Sequence, residues 1–171
     1  MLLAVDVGNT NTVFALYEGT RPLVSWRLAT VRQRTSDEYA LALVQLIEMA
    51  GYDYRRIDEA VVSSVVPEAN IALRWMCRDR LKCPISFIAD DIVVPLEVKL
   101  ANPKEIGADR LVNAFAAHRH HGGDLIVIDF GTATTFDVVD ASGAYPGGVS
   151  APGINLSLEA LHMAAAKLPR I

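Results

Sequence analysis

Short apolar runs separated by small polar turns open the chain. Leu2 to Val7 is one such run and ends at Gly8-Asn9, and Thr12 to Tyr17 is the next. A third run extends from Pro22 to Thr30. Runs of this length that are rich in β-branched and aromatic residues, with Gly and Asn between them, are typical of strands joined by tight turns. The start of the chain therefore predicts an antiparallel meander of three strands.

Helical spacing follows the meander and then alternates with strand-like runs. Ser36-Asp37-Glu38 predicts the start of a helix that ends at Gly51. Ala60 to Val66 and Ile85 to Ala89 are strand-like runs. The segment between them, from Glu68 to Leu81, has helical spacing. This alternation of strands and helices predicts an α/β fold.

The opening pattern recurs in the second half of the chain. A predicted helix from Ile106 to His118 separates the two halves. Leu125 to Ile128 then predicts a buried strand and Thr134 to Val139 a second one, after which Gly143 turns the chain toward a third. A pattern that returns over so long a distance indicates duplication of a domain rather than a solenoid repeat.

In each half, an apolar strand ends in an Asp-x-Gly sequence, which is followed by a turn of small residues. Asp6-Val7-Gly8 is the first copy and Asp129-Phe130-Gly131 is the second. The repeat predicts a first domain over residues 1–121 and the opening part of a second domain over residues 122–171. One Asp-x-Gly at a strand end is a common turn with no function of its own. Two copies at equivalent positions favour a shared function.

Turns of this composition suit phosphate groups. A tip with little side-chain bulk lets backbone N–H groups point outward and cradle anionic oxygens, and the hydroxyls of Thr10 and Thr12 add donors. A carboxylate beside a phosphate requires a cation between them, and Mg²⁺ binds one or two carboxylates together with phosphate oxygens. We therefore expect two facing turns to hold the β- and γ-phosphates of a nucleotide. The sequence contains neither the P-loop motif nor the glycine pattern of dinucleotide folds.

Composition narrows the class of protein. The 171 residues are 51% hydrophobic and 21% charged, which suits a buried core and not a disordered chain. A formal net charge of −4 disfavours nucleic acid as a partner, because nucleic-acid binding usually draws on a basic face. Cys77 and Cys83 have no CxxC spacing, so neither a disulfide scaffold nor a structural zinc site is expected. With no signal peptide and no apolar run near the ~20 residues of a membrane span, we expect a cytoplasmic protein without a membrane partner.

Beyond these patterns, the chain resembles the type III pantothenate kinases, a family of the actin and hexokinase superfamily. The resemblance covers the whole chain, because its motifs follow one another in family order. They are Asp6-Val7-Gly8-Asn9-Thr10-Asn11-Thr12, Ser63-Ser64-Val65-Val66-Pro67, Asn102-Pro103, Gly107-Ala108-Asp109-Arg110, Asp129-Phe130-Gly131-Thr132-Ala133-Thr134-Thr135, Gly147-Gly148, Pro152-Gly153 and Ala166-Lys167-Leu168-Pro169.

The resemblance implies a fold and an activity. The fold is α/β, with duplicated ribonuclease-H-like domains of the actin-like ATPase type, a mixed sheet flanked by helices and an incomplete second domain. The activity is phosphoryl transfer from ATP to the primary hydroxyl of pantothenate, the first step of coenzyme A biosynthesis. The resemblance also implies a homodimer that builds the pantothenate pocket across its subunit interface. A catalytically inactive regulatory homologue, which binds nucleotide or a protein partner, is the alternative.

The resemblance also implies roles for individual residues. The nucleotide loop falls on Asp6, Val7, Gly8, Asn9, Thr10, Asn11, Thr12 and Val13, with Thr132 as a further ATP contact. The monovalent cation of the family, K⁺ or NH₄⁺, falls on Asp129, and Mg²⁺ with the triphosphate falls near Asp6. The pantothenate-binding stretch falls on Gly107, Ala108, Asp109 and Arg110, with Asp109 as the catalytic base.

The chemistry of these residues agrees with the implied roles. Asp109 follows two small residues in the predicted first turn of a helix, where the helix dipole favours an ionised carboxylate. Arg110 suits a substrate carboxylate. From the residues alone, a helix-start role for Asp109 and a surface ion pair for Arg110 are the alternatives. Leu100 stands where some family members carry an aromatic substrate contact, and family members continue past Ile171 with the rest of the second domain and its Gly-rich adenosine-binding turn.

Overall fold

The predicted meander forms one side of a five-stranded sheet in the computed structural model, which describes residues 1–164 apart from the side chain of Lys104. Strands β1 (Leu2–Val7), β2 (Asn11–Glu18) and β3 (Arg21–Ala29) pair antiparallel, as the apolar runs predicted. Strands β4 (Glu59–Ser64) and β5 (Ile85–Phe87) continue the sheet in parallel on the other side of β1. The strand order is β3-β2-β1-β4-β5.

Two helices connect these strands. Helix α1 (Ser36–Met49) begins at a capping box, in which the Thr35 hydroxyl accepts from the Glu38 N–H and the Glu38 carboxylate accepts from the Thr35 N–H. Helix α2 (Pro67–Met76) continues into a single π-helical turn, Cys77–Leu81. The helix predicted to reach Leu81 is therefore confirmed in position and changes its hydrogen-bond pattern near its end.

The buried faces of β1, β2, β4, α1 and α2 meet in one apolar core. Alternate residues of β1 and β2 point into it, because successive strand side chains lie on opposite faces of the sheet. Its largest fully buried members are Tyr39, Phe14, Phe87, Leu3, Leu16, Leu43, Ile47, Leu73, Met76, Val7 and Val62.

The predicted recurrence forms a second, smaller sheet. Strands β6 (Leu125–Phe130), β7 (Ala133–Val139) and β8 (Gly147–Pro152) pair antiparallel in the order β6-β7-β8. Helix α3 (Ala108–His121) precedes this sheet and helix α4 (Ile154–Ala164) follows it. The second meander is therefore confirmed, but the prediction that Leu125 to Ile128 is a buried strand is wrong. No residue of β6 is buried, because only one of its faces packs on the second unit, where Leu125 and Val127 are partly buried.

By its contacts the chain divides into two compact units. The first comprises Met1–Val94 and Gly107–Asp109, and the second comprises Pro95–Ile106 and the described residues from Arg110 onward. A small core in the second unit contains Ile106 and Ala114 together with Val139 and Tyr145, and Leu100 packs against it. The boundary between residues 121 and 122 that the repeat suggested stays a prediction.

One face of the second sheet is apolar and exposed. Ile126 and Phe130 on β6 are 66% and 70% exposed, and Val138, which pairs with Ile126, is 40% exposed. Val149 on β8 is 65% exposed. Among the described residues, β6 pairs only with β7, whereas β1 is paired on both sides. Within the described part of the chain, no helix combines the length and the apolar character that crossing a bilayer requires.

Candidate active site

The turn between β1 and β2 is a small, closed loop. The N–H of Gly8 donates to the carbonyl of Asn11 at 2.9 Å. Thr30, which follows β3 directly, closes the loop from the side: its N–H donates to the carbonyl of Thr10 at 2.9 Å and its hydroxyl to the carbonyl of Gly8 at 2.7 Å. Asn9 and Thr10 are exposed. We call Gly8-Asn9-Thr10 the first tip.

Thr12 lies beneath the first tip and is fully buried. Its Oγ1 is 2.9 Å from Oγ1 of Thr30, so the two hydroxyls share a hydrogen bond. Thr12 has the same parity along β2 as Phe14 and Leu16, which point into the core, and this alternation is the sequence signal for its burial. The buried Thr12 hydroxyl therefore supports the first tip through Thr30, whose hydroxyl bonds to Gly8.

The turn between β6 and β7 is closed in a similar way but is one residue shorter than the first. The N–H of Gly131 donates to the carbonyl of Ala133 at 3.0 Å, and the N–H of Gly153 donates to the carbonyl of Thr132 at 2.9 Å. Gly153 directly follows β8, as Thr30 follows β3. A Cβ on Gly153 would collide with the carbonyl oxygens of Gly131 and Thr132, so only glycine fits there. We call Gly131-Thr132 the second tip.

An exposed aspartate stands at the same place before each tip. Asp6 and Asp129 each occupy the second position before the tip glycine, and both are exposed. Asp6 pairs in parallel register with Ser63 on β4, so both side chains lie on one face near the carboxyl ends of these strands. Ligands of α/β sheets commonly bind at such ends.

The oxygen atoms of Asp6 and Ser63 are suitable ligands for a hard cation such as Mg²⁺. Oγ of Ser63 is buried and has no hydrogen-bond partner among the described residues. A carboxylate with a hydroxyl beside it offers the oxygen ligands that Mg²⁺ prefers. The described residues contain no group of three or more His, Cys, Asp or Glu side chains arranged to hold a metal.

Asp109 lies in the first turn of α3, beside the chain that follows β4. A Cβ on Gly107 would collide with Oδ1 of Asp109 and would lie 3.3 Å from Cγ1 of Val65. The carboxylate of Asp109 therefore folds back over Gly107, and Ala108 between them is buried. Within the first unit, Asp109 thus approaches the loop after β4, the strand next to the one that carries Asp6.

Arg110 belongs to the second unit and pairs with a buried carboxylate. Its Nε donates to Oδ1 of Asp137 at 2.7 Å, and its Nη2 lies 2.5 Å from the same oxygen. The hydroxyl of Tyr145 also donates to this oxygen, at 2.5 Å, and Oγ1 of Thr135 donates to Oδ2 at 3.1 Å. Asp137 is 1% exposed, whereas the side chain of Arg110 is 24% exposed. The surface ion pair that the sequence left open for Arg110 is instead an ion pair with an interior partner.

Burial keeps the Tyr145 hydroxyl protonated. It raises the pKa of Tyr145 to about 12, and the hydrogen bond to Asp137 adds to the rise. Tyr145 therefore keeps its proton at neutral pH and acts as a donor. A Cβ on Gly148 would lie 2.7 Å from Nη2 of Arg110 and 2.8 Å from Oδ1 of Asp137, so the glycine of β8 leaves the room that this cluster occupies.

Residues of the predicted site are divided between the two units. The first unit contains the first tip, Asp6 and Asp109, and the second contains the second tip, Asp129 and Arg110. Asp137 and Tyr145 are absent from the sequence-based set, because no local motif marks residues that meet only in three dimensions. The motif Ala166-Lys167-Leu168-Pro169 lies outside the described residues.

Comparison with known families identifies close relatives along the whole chain. The profile of the type III pantothenate kinase family matches residues 2–171. A type III pantothenate kinase of Acidiphilium cryptum is 56% identical over 171 residues, which is 100% of this chain and 64% of that protein. Its counterpart in Paramagnetospirillum magneticum is 55% identical over 172 residues, covering 100% of this chain and 66% of that protein. The chain therefore spans about two thirds of the length of these curated relatives.

Solved structures with much lower identity share the fold. The Ppx/GppA phosphatase of Aquifex aeolicus superposes with a TM-score of 0.53 at 15% identity, covering 99% of this chain and 57% of that one. The ethanolamine utilization protein EutJ of Carboxydothermus hydrogenoformans gives a TM-score of 0.53 at 15% identity, with 98% and 57% coverage. These similarities show the fold alone, and the expected α/β fold with a mixed sheet flanked by helices is confirmed.

Proposed function

The chain belongs to the type III pantothenate kinase family, and on that premise we propose that its protein transfers a phosphoryl group from ATP to the primary hydroxyl of pantothenate. The product is 4′-phosphopantothenate, in the first step of coenzyme A biosynthesis. One observation carries the proposal from the structure. Two hairpin tips, each closed by the N–H of its glycine and by the N–H of the residue that follows its meander, each follow an exposed aspartate, and this composition suits phosphate groups.

The tips supply the proposed phosphate-binding surface. The first tip, with Asp6, Val7, Asn11, Thr12 and Val13 around it, forms the nucleotide loop, and Thr132 of the second tip is a further ATP contact. Both tips consist of residues with little side-chain bulk, so their backbone is accessible to phosphate oxygens. Val7 and Thr12 are buried and support the loop from beneath, while Asn9 and Thr10 are exposed on it.

Two cations complete the proposed nucleotide site. Asp6 would hold Mg²⁺ with Ser63 beside it, and Asp129 would hold the monovalent cation, K⁺ or NH₄⁺. When bound, such cations neutralise the charge of the triphosphate. The oxygen donors at Asp6 and the partnerless Oγ of Ser63 support the placement of Mg²⁺.

Asp109 is the proposed general base. The hydroxyl oxygen of pantothenate forms a bond to the γ-phosphorus while the bond from that phosphorus to the β–γ bridging oxygen breaks, so ADP leaves with the electron pair. Asp109 takes the proton of the attacking hydroxyl. Gly107, whose missing Cβ makes room for this carboxylate, and Ala108 belong to the proposed pantothenate-binding stretch, in which Arg110 pairs with the substrate carboxylate.

A homodimer is the proposed assembly, with the pantothenate pocket built across the subunit interface, and the cytoplasm is the proposed location. The resemblance to the family supports both. Sedimentation of the full gene product over a range of concentrations tests the first of them. A species that remains monomeric at every concentration and is fully active would contradict the dimer.

An assay of ADP release tests the activity. This chain and the full gene product are each mixed with ATP, Mg²⁺, K⁺ and pantothenate, and ADP is detected through a coupled enzyme. We expect release that depends on pantothenate in the full gene product. Nucleotide binding without pantothenate-dependent release would instead support an inactive regulatory homologue.

A further inference from the structure

The interior partners of Arg110 fix the orientation of its side chain. A guanidinium is planar, so fixing one of its edges also fixes the direction in which the opposite edge points. Asp137 holds the edge formed by Nε and Nη2, at 2.7 and 2.5 Å. Tyr145 adds a second restraint, because its ring lies 6.0 Å from the guanidinium carbon while its hydroxyl donates to Asp137.

Asp137 and Tyr145, which we call the clamp on Arg110, are themselves held in place by other residues. Asp137 lies in β7, where its other oxygen accepts from the Thr135 hydroxyl at 3.1 Å. The backbone of Tyr145 is held by two hydrogen bonds: its N–H donates to the carbonyl of Glu97 at 2.7 Å, and its carbonyl accepts from the N–H of Lys99 at 2.8 Å. The Asp137 side chain cannot turn away without breaking several of these bonds, and the fixed backbone of Tyr145 places its ring beside them, so the fold sets the orientation of the guanidinium.

The energetics of the cluster argue against a purely structural role. The attraction within a buried ion pair often fails to offset the free energy lost when its charges leave water. Apolar residues of similar size often stabilise a fold as well as such a pair, or better. Here the carboxylate is buried while about a quarter of the arginine side chain stays exposed. That exposed part belongs to the residue next to Asp109 in the first turn of α3.

We propose that Asp137 and Tyr145 are positioning residues that orient Arg110 toward the carboxylate of the substrate. This inference rests on the proposed function. Arg110, so oriented, recognises the anionic end of pantothenate. Asp137 and Tyr145 then act on specificity through Arg110 and not on the phosphoryl group.

Steady-state kinetics of the full gene product test the proposal. Asp137→Asn keeps the size of the side chain and removes its charge, and Tyr145→Phe removes one hydrogen bond. We expect the KM for pantothenate to rise roughly tenfold in Asp137→Asn and severalfold in Tyr145→Phe, with the KM for ATP unchanged and kcat little altered. Arg80→Gln is the control, because it breaks an exposed ion pair with Asp37 in the first unit and should leave both KM values unchanged.

A substrate analogue supplies a readout that a structural role would not move. In pantothenyl alcohol the carboxylate is replaced by a hydroxymethyl group, so it offers Arg110 no anion. The wild type should favour pantothenate, and both variants should lose most of this preference. An unchanged preference, or an unchanged KM for pantothenate in folded variants, would overturn the inference while leaving the kinase activity intact.

Two further outcomes remain decisive. If Asp137→Asn does not fold, as judged by its thermal transition, Tyr145→Phe decides the proposal by the same criteria. If the wild type releases no ADP with pantothenate, the proposed function fails, and direct titration of pantothenate into the wild type and Tyr145→Phe decides the inference. Equal binding, or no binding to either protein, would then overturn it.

Discussion

Thr30 and Gly153 make the same backbone hydrogen bond at equivalent ends of the two meanders. The N–H of Thr30 reaches the carbonyl of Thr10 at 2.9 Å, and the N–H of Gly153 reaches that of Thr132 at 2.9 Å. Their side chains differ for a steric reason. The first tip leaves room for a hydroxyl that bonds to Gly8, whereas the second tip packs its carbonyls against the α-carbon of Gly153.

Replacing Thr30 by Val tests the closure of the first tip. The change keeps the shape of the side chain but removes two hydrogen bonds and leaves the buried hydroxyl of Thr12 without its partner. We expect a loss of about 1–3 kcal/mol in the free energy of unfolding, together with weaker ATP binding. Urea unfolding and nucleotide titration measure both. Thr30→Ser keeps the hydroxyl and should retain most of the stability, so equal losses in the two variants would contradict this role.

Gly153→Ala tests the second tip. Its Cβ would collide with two backbone carbonyls that cannot move aside as a side chain would, so the tip must distort. We expect a loss of about 1–3 kcal/mol of stability and reduced affinity for ATP. Ser150→Ala on the same strand is the control, because Ser150 is exposed. Normal nucleotide binding by Gly153→Ala would show that the tip geometry is unimportant.

Asp109→Asn tests the proposed base. Losing a general base lowers the rate by about 10²–10⁴-fold, so we expect kcat to fall in this range with ATP affinity nearly unchanged. Gly107→Ala should also lower kcat, because its Cβ would displace the Asp109 carboxylate. Glu59→Gln, an exposed change in the same unit, is the control. Undiminished turnover in Asp109→Asn would remove this residue from the role.

The pH dependence of stability reports on Asp140. A hydrogen bond from Lys99 lowers its pKa most, followed by hydrogen bonds from the Ser142 hydroxyl and the Ala144 N–H. Because the pKa is lowered in the folded state, this stabilisation is complete above the ordinary value of 3.8 and is lost as the pH falls below it. Asp140→Asn should therefore flatten the acid side of the stability curve. Thermal melts from about pH 6 to about pH 2 would show equal slopes if Asp140 did not contribute.

The exposed apolar face of the second sheet predicts self-association of the isolated chain. Ile126 and Val149 lie on it at 66% and 65% exposure. Contiguous apolar surface of this kind binds other apolar surfaces. We expect Ile126→Thr with Val149→Thr to reduce light scattering and the fluorescence of a bound hydrophobic dye. Leu3→Thr, inside the first core, should have the opposite effect by exposing apolar surface during unfolding. Scattering that is equal in the wild type and the double variant would exclude this face.

Hydrophobic patterning predicted strands such as β1 and β2 because each buries one face, and the burial of one face imposes a period of two on the sequence. The same patterning did not reveal that the apolar face of β6 is exposed. Thr12 follows this rule as well, since it alternates with Phe14 and Leu16, but its hydroxyl suggested a ligand contact instead of a buried brace. For Thr12, the residue type suggested an exposed hydroxyl, whereas its position in the strand alternation indicated a buried side chain. The structure has the side chain buried.

The clamp on Arg110 could not be predicted in the same way. Asp137 lies 27 residues further along the chain, and the alternation of β7 gives no reason for a charge at a buried position. Only the folded chain brings Arg110, Asp137 and Tyr145 together. The π-helical turn after α2 was missed for a related reason, because a change from α to π hydrogen bonding leaves the apolar spacing almost unaltered.

Hydrogen bonds between backbone amides and carbonyls close both tips. A loop held by backbone hydrogen bonds tolerates substitution of most of its side chains. The shape of the two tips therefore does not require matching side chains. The choice of residue is narrow only at the position after each meander, which is threonine in the first half, where its hydroxyl closes the tip, and glycine in the second, where a Cβ would collide with carbonyl oxygens.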